Sequence, residues 1–510
     1  METQYLFILT KFSHSFKITD ISHSVKYIFE KFSRRYVVMS LTRNAFSKRP
    51  SLIADKHYIT VTSDKEEYRY HINQLEDFLS FFSNYRVTLN NILIIDKELF
   101  EPFITGIKIK PSWVLRDHQP PMLEYLISKS NNNKMLSVGT GRGKSSVSLC
   151  ATSEIGYRTI LLIKPAYMDK WIVDIQKTLD IDISQIVTIQ GTNELKNYIN
   201  LALLNELPYL YSVISLNTYR AFLNHYELDR RNTKEVYGCL PENFFELTKT
   251  GTLILDEVHQ EFYSIYKLFT FTHIPLVISL SATLIDNNSF IQKVYEMVYP
   301  NNNRFIEENK NKYIKAYGVG YAFKDIKKIQ TADYGSRFYS HSAFEKSIMR
   351  NTEKKIAYFN FINYVIKLGY LEGYKKGDKM SIFLKSIAMC VELTRYLKTK
   401  HYSLDIRKYT EEDPYENVID SDIRVTTIES SGTAIDIPNL TCVLLTVNVD
   451  SMKANIQTLG RLREIPGRDV KFYYIYCYQL IKHRDYHKRR MQTLLPHAKM
   501  VNELTYPYRL

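Results

Sequence analysis

Cysteine is scarce and scattered. The 510-residue chain has only Cys150, Cys239, Cys390, Cys442 and Cys477, with no CxxC pair and no histidine cluster beside them. That pattern argues against a disulfide framework or a zinc site and points to a reducing compartment. Long apolar runs are missing as well: no span of about 18 residues is apolar enough to cross a bilayer as a helix. The apolar stretch at residues 5–9 is too short for a signal-peptide core and follows Glu2 rather than a basic run. The chain is therefore expected to be soluble and cytoplasmic, with no membrane partner. No internal repeat is found. Residues 1–110 hold no clustered carboxylate and lysine nuclease motif, so cleavage within a restriction-type assembly would need another subunit.

What is present is length, apolar content and positive charge. With 45% hydrophobic residues, the chain can form roughly three domains of about 100 to 200 residues. Its 68 Lys and Arg against 54 Asp and Glu give a formal charge of +14. This balance suits a polyanionic partner, although a basic soluble protein needs none. The 40 tyrosines are not read as stacking surface, because an AT-rich coding sequence accounts for them.

Short continuous apolar runs fall at residues 159–163, 210–216, 252–255 and 276–280, then again at 381–384, 423–427, 442–447 and 472–477. Such runs, separated by helix-length mixed segments, are the pattern of strands buried on both faces of a parallel sheet. Two α/β lobes follow, joined near Tyr299-Pro300-Asn301-Asn302-Asn303, where Pro and Asn favour a turn. Residues 1–110 read as a separate small α+β unit, with helices over 22–32 and 74–82 and strands near 58–62 and 68–71. The expected division is an accessory domain at 1–110, with possible duplex-DNA contact, lobe one at 111–299, lobe two at 300–481 and a basic tail at 482–510. A long packing helix is expected over 342–368, since Ile348, Ile356, Phe359, Ile362 and Ile366 recur at helical spacing. The tail concentrates Lys482, Arg484, Lys488, Arg489 and Arg490 against one acid, Asp485; a solvated helix face and a phosphate-contacting one both fit.

The chemistry concentrates in Val138-Gly139-Thr140-Gly141-Arg142-Gly143-Lys144-Ser145. A glycine-rich turn between a strand and a helix lets backbone N–H groups wrap phosphates, while Lys144 reaches the β/γ oxygens and Ser145 can ligate Mg²⁺. Asp256-Glu257-Val258-His259 ends a later strand and supplies the acids such a site needs. Phosphoryl transfer requires in-line positioning and charge neutralisation. Asp256 is suited to hold Mg²⁺, mainly through its waters, and Glu257 to polarise an attacking water.

Other motifs follow in order: Leu115-Arg116-Asp117-His118-Gln119, Ile163-Lys164-Pro165-Ala166, Ser281-Ala282-Thr283, Ser431-Gly432-Thr433-Ala434-Ile435-Asp436-Ile437-Pro438 and Gln457-Thr458-Leu459-Gly460-Arg461-Leu462-Arg463. Over residues 113 to 480 this series resembles the superfamily 2 helicases. Within them it is most similar to phage UvsW-type branch-migration helicases and related poxvirus transcript-release helicases. The resemblance implies two tandem RecA-like lobes and ATP with Mg²⁺, and the small N-terminal α+β unit ahead of the motor fits the UvsW-type layout. Catalysis would fall to Lys144, Asp256, Glu257, Arg461 and Arg463. The nucleotide would be held by Arg116, Gln119, Thr140, Gly141, Arg142, Gly143, Lys144, Ser145, Ser146 and Asp436, and the metal by Ser145 and Asp256.

Gln119 carries both a donor and an acceptor for the adenine edge. His259, Ser281, Thr283 and Gln457 are the implied coupling residues, and Thr218, Arg220 and Thr427 the candidates for nucleic-acid phosphates. The sixth motif departs from the family: its second arginine belongs three residues after the first, where Glu464 stands, and the nearby arginine is Arg463. Ala434 likewise replaces the usual glycine of the fifth motif. The implied activity is ATP-dependent translocation by a monomeric motor on double-stranded or branched DNA, in viral or phage replication, recombination, repair or transcription. Two alternatives stay open: an RNA helicase or transcript-release factor, and an ATP-switched nucleic-acid-binding regulator that does not unwind.

Overall fold

A computed structural model describes the chain except for residues 1–4, 43–50, 140–141, 283–287, 307–312, 334, 336–337, 411–412, 415, 429–436, 449–457, 460–461 and 466, and the side chains of 39–42, 51–55 and 418. The chain divides into two compact units, residues 1–307 and 308–510.

The first unit is built on a seven-stranded sheet in the order Ile186–Ile189, Tyr211–Ser215, Thr159–Ile163, Thr252–Leu255, Leu276–Ser281, Asn133–Ser137, Arg304–Ile306. Every pairing in it is parallel. The apolar runs read from the sequence are its central strands, and Thr159–Ile163, Thr252–Leu255 and Leu276–Ser281 are buried at every position. Arg304–Ile306 adds an edge strand to this sheet, so the first unit runs past the expected junction at residue 299. In an open parallel sheet, ligands bind beyond the carboxyl ends of the strands where the order reverses. Here Ser137 pairs with Ser281 and Leu255 with Ser279, so the glycine-rich loop, the acidic pair and the end of the Leu276–Ser281 strand emerge side by side.

The N-terminal segment forms a five-stranded sheet ordered Thr60–Val61, Tyr68–His71, Ser15–Thr19, Phe7–Lys11, Ile92–Asp96. Helices Lys26–Ser33 and Leu75–Ser83 pack on it through Phe7, Phe29, Phe32, Phe78 and Phe82. The α+β character matches the sequence reading, but the segment is not a separate compact unit. Buried polar contacts tie it to the seven-stranded sheet's domain. Arg69 bridges Glu67 and Glu242, Lys17 meets Glu242 at 2.9 Å, and the Tyr226 hydroxyl donates to Glu67. Burial alone would raise the Glu242 carboxyl, yet the charges and hydrogen bonds of Arg69 and Lys17 hold it down at about 2. His14 donates from Nε2 to the Asn132 carbonyl and accepts from Ser13 at Nδ1. Burial, reinforced by His273 and opposed by the Asn132 hydrogen bond, brings its imidazole down to about 4. His71 is brought down to about 3, again mainly by burial. Such a seam is formed by residues distant in sequence, which composition alone cannot reveal.

The second unit has its own seven-stranded parallel sheet, ordered Ile406–Tyr409, Ile423–Thr427, Lys379–Leu384, Leu440–Leu445, Val470–Cys477, Ile314–Ala322, Met500–Arg509. The α/β class with two parallel-sheet lobes is thus as expected. Two local readings are corrected. The expected helix over 342–368 is two helices, His341–Met349 and Thr352–Ile366, because the Asn351 side chain accepts the Lys354 N–H and starts a second helix there. The expected tail is a folded part of the lobe: helix Ile481–Leu494 leads to Met500–Arg509, which pairs with Ile314–Ala322. In that helix Lys482, Arg484, Lys488 and Arg489 are exposed, but Arg490 is fully buried, donates to the Val447 carbonyl and lies over the Tyr474 ring.

Candidate nucleotide site

The glycine-rich loop joins strand Asn133–Ser137 to helix Lys144–Ile155, as a phosphate-binding loop must. Thr140 and Gly141 lie outside the described residues, as do Thr283, Asp436, Gln457 and Arg461. Gly143 caps the helix with φ +81°, in the left-handed region. A Cβ on this residue would also overlap the Gln119 amide nitrogen. Conformation and space both call for glycine.

Gln119 is buried at the start of helix Pro120–Ile127. Its Oε1 accepts the Arg116 N–H at 2.8 Å, and its Nε2 donates to the Arg142 carbonyl at 3.2 Å. His118 Nε2 donates to that same carbonyl at 3.1 Å. The first motif and the glycine-rich loop are therefore stitched together at the Arg142 peptide. Lys134, on the strand before the loop, donates to the carbonyls of Tyr125, Leu126 and Ser128 and so closes the C-terminal end of the same helix. Burial lowers its ammonium to about 8. His118 and Lys134 are positioning groups that the sequence reading passed over.

Lys144 is buried, and its ammonium donates to the Val138 carbonyl at 2.8 Å. Ser145 and Ser146 follow it in the first turn of the helix. Val138 in turn donates its N–H to the Ser281 carbonyl, continuing the strand ladder into the loop. Ser281 Oγ sits 2.7 Å from His259 Nδ1, which is 3.3 Å from Glu257 Oε2. Glu257 has φ +48°, a conformation that costs a non-glycine residue on the order of 1–3 kcal/mol and concentrates at functional sites. One run of contacts thus links loop, strand end, histidine and acid.

Asp256 is held at both carboxylate oxygens. Its Oδ1 accepts the Glu257 N–H at 2.8 Å, and its Oδ2 accepts the indole N–H of Trp171 at 2.9 Å. An ionised carboxylate accepts up to about four hydrogen bonds, so lone pairs remain on both oxygens. Asp174, one turn beyond Trp171, has its carboxyl raised by burial, with Lys170 and Lys177 opposing and Asp256 adding to the rise.

A lysine at the start of the helix after the loop and a carboxylate at the same edge of the sheet, one strand removed, are donors suited to a nucleoside triphosphate with Mg²⁺. The comparisons with known proteins are structural. No protein-family model matches the chain, and no curated protein sequence matches it. Among solved structures it is similar to S. cerevisiae Dbp5 bound to RNA and ADP BeF3, at 11% identity and TM-score 0.49 over 76% of this chain and 89% of that one. It is similar to the Pyrococcus furiosus Hef helicase domain at 11% identity and TM-score 0.44, over 74% and 98%. It is also similar to T4 UvsW at 14% identity and TM-score 0.33, over 98% of this chain and 99% of that one.

The remaining sequence candidates are more dispersed. Thr218 is buried, and its hydroxyl accepts the Gly191 N–H at 2.8 Å. Arg220 is exposed, bonds Asn217 and lies 3.8 Å from Glu261, which also pairs with Lys164 at 3.1 Å. Thr427 ends a strand of the second unit and is buried. Arg463 belongs to the second unit too, with Nη1 3.5 Å from the Leu462 carbonyl.

Proposed function

We propose that this protein is an ATP-dependent translocase that remodels double-stranded or branched DNA. One observation carries the reading: Lys144, Asp256, Glu257 and Ser281 converge at the carboxyl edge of one parallel sheet, in a chain that carries a second parallel sheet of the same size. A lone phosphate-binding loop would serve a kinase equally well. The paired lobes and the ordered motifs between residues 113 and 480 favour a motor.

In this reading Lys144 exchanges its Val138 carbonyl for β/γ-phosphate oxygens, and the loop N–H groups take up the rest of the negative charge. Gln119 has spent one donor on the Arg142 carbonyl of the loop and one acceptor on the Arg116 N–H; its second N–H and second lone pair are the groups to read adenine. Mg²⁺, when bound with the nucleotide, neutralises charge on the phosphates. Ser145 and Asp256 are the residues to hold it. Glu257 takes a proton from the attacking water, and the left-handed backbone at that position holds its carboxylate near His259. His259 and Ser281 pass the state of the site to the strand end that feeds the loop. Arg461, and with it Arg463, supplies positive charge to the γ-phosphate. Asp436, Gln457 and Thr283 complete the set as ribose and coupling groups.

The formal charge of +14 supports a polyanionic track. The Asp-Glu-Val-His form of the acidic motif inclines the reading to DNA over RNA. The test is ATP hydrolysis by the purified protein with and without nucleic acid. Stimulation by duplex or branched DNA supports the reading, and hydrolysis indifferent to every nucleic acid rejects it.

A further inference from the structure

The acidic motif of this chain has a partner that no motif supplies. Trp171 lies on helix Met168–Thr178, which follows strand Thr159–Ile163, the neighbour of Thr252–Leu255 in the sheet. That adjacency brings its indole to the carboxyl end of the strand preceding Asp256. The side chain is 0% exposed and is the largest fully buried one in the described residues. Its ring nitrogen donates to Asp256 Oδ2 at 2.9 Å.

An indole N–H is a donor only, and when buried it needs an acceptor. A large apolar side chain would have filled the same volume without that demand. The Glu257 N–H holds the other oxygen of the same carboxylate at 2.8 Å. Two donors of opposite kind, one a rigid ring fixed by packing and one a backbone group, therefore set the plane of the carboxylate.

We propose that Trp171 is a positioning residue for metal-nucleotide binding: its indole N–H locks Asp256 in the orientation that accepts the waters of the divalent cation. This rests on the assignment of Asp256 as the metal-holding acid under the proposed function. Groups that orient a metal-holding carboxylate typically contribute about 10- to 100-fold to metal affinity or activity. Trp171→Phe keeps an aromatic ring at the position and removes the donor together with the pyrrole part of the indole, so stability is measured beside metal binding.

The test is Mn²⁺ binding to the full chain saturated with a non-hydrolysable ATP analogue, with free Mn²⁺ read by electron paramagnetic resonance. Trp171→Phe is expected to weaken Mn²⁺ binding by about 10- to 100-fold, with the metal-free affinity for the analogue and the far-ultraviolet circular dichroism unchanged. A merely structural tryptophan would instead shift stability and leave Mn²⁺ affinity at the parental value, which overturns the proposal.

A second measurement does not depend on that variant folding. The chain has two tryptophans, Trp113 and Trp171, so Trp113→Phe leaves Trp171 as the sole indole emitter. Paramagnetic Mn²⁺ with the analogue should quench that emission where Mg²⁺ does not, and equal emission with the two metals overturns the assignment. If the parent binds Mn²⁺ with the analogue and Trp171→Phe weakens it, yet DNA never stimulates hydrolysis, the motor reading fails and the role of Trp171 stands. If the parent binds no Mn²⁺ with the analogue, the role of Trp171 fails as well.

Discussion

Gln119 and Gly143 are fitted to each other: the amide nitrogen of Gln119 occupies the space that a side chain at residue 143 would need. The same amide donates to the carbonyl of Arg142, one residue earlier. The helix start that carries the first motif is thus tied to the glycine-rich loop.

Gly143→Ala is therefore expected to damage nucleotide binding rather than the fold. The left-handed backbone costs an alanine on the order of 1–2 kcal/mol, and the overlap with Gln119 displaces the amide from Arg142. Analogue affinity measured by calorimetry should fall at least about tenfold, by the equivalence of 1.4 kcal/mol to one decade. Retained affinity would show that the loop closes without Gln119.

Lys144→Ala should abolish ATP turnover, and Glu257→Gln should leave nucleotide binding near parental while lowering hydrolysis by about 10²- to 10⁴-fold, the usual contribution of a general base. Steady-state hydrolysis and analogue binding, measured together, separate the two. Parental hydrolysis by either variant would overturn the site assignment.

Ser281→Ala removes the hydroxyl that faces His259 without altering the glycine-rich loop. Basal hydrolysis should persist, while the ratio of DNA-stimulated to basal rate falls roughly 2- to 10-fold, the range given by one hydrogen bond of about 0.5–1.5 kcal/mol. An unchanged ratio would make the contact a structural one.

Acid should loosen the seam between the N-terminal sheet and the first lobe. His14 and His71 have folded values of about 4 and 3, below the ordinary 6.5. The unfolded chain therefore takes up protons that the folded chain refuses, and stability is lost as pH falls from 6.5 toward those values. Each histidine contributes up to about 1.4 kcal/mol per pH unit in that window. Glu242 extends the loss: its carboxylate, held at about 2 against an ordinary 4.5, stabilises the fold above 4.5 and ceases to do so as pH falls toward 2. Thermal melts from pH 7 to 4 should show a falling midpoint, and His14→Gln should flatten the slope above pH 4.5. Identical slopes would place the acid sensitivity elsewhere.

The strands buried on both faces were legible because their apolar runs are continuous, as at Thr159–Ile163 and Leu276–Ser281. Met500–Arg509 was not, since it lies at a sheet edge, most of its residues are exposed and polar ones interrupt its apolar run. Asn351 broke an expected helix because apolar spacing continues through a cap that only its side-chain hydrogen bond reveals. At the site, Lys144 and Asp256 could be read from local sequence, where loop and strand end are contiguous. Trp171 could not be read that way: its meeting with Asp256 depends on which strands are neighbours.

The central claim is that hydrolysis at Lys144 and Glu257 is driven by a DNA track. The most direct measurement compares ATPase rates with single-stranded DNA, duplex, a four-way junction, an R-loop and RNA at one salt concentration. The account predicts strong stimulation by duplex or branched DNA, little by RNA, and none in Lys144→Ala. Equal rates with and without every nucleic acid would contradict it.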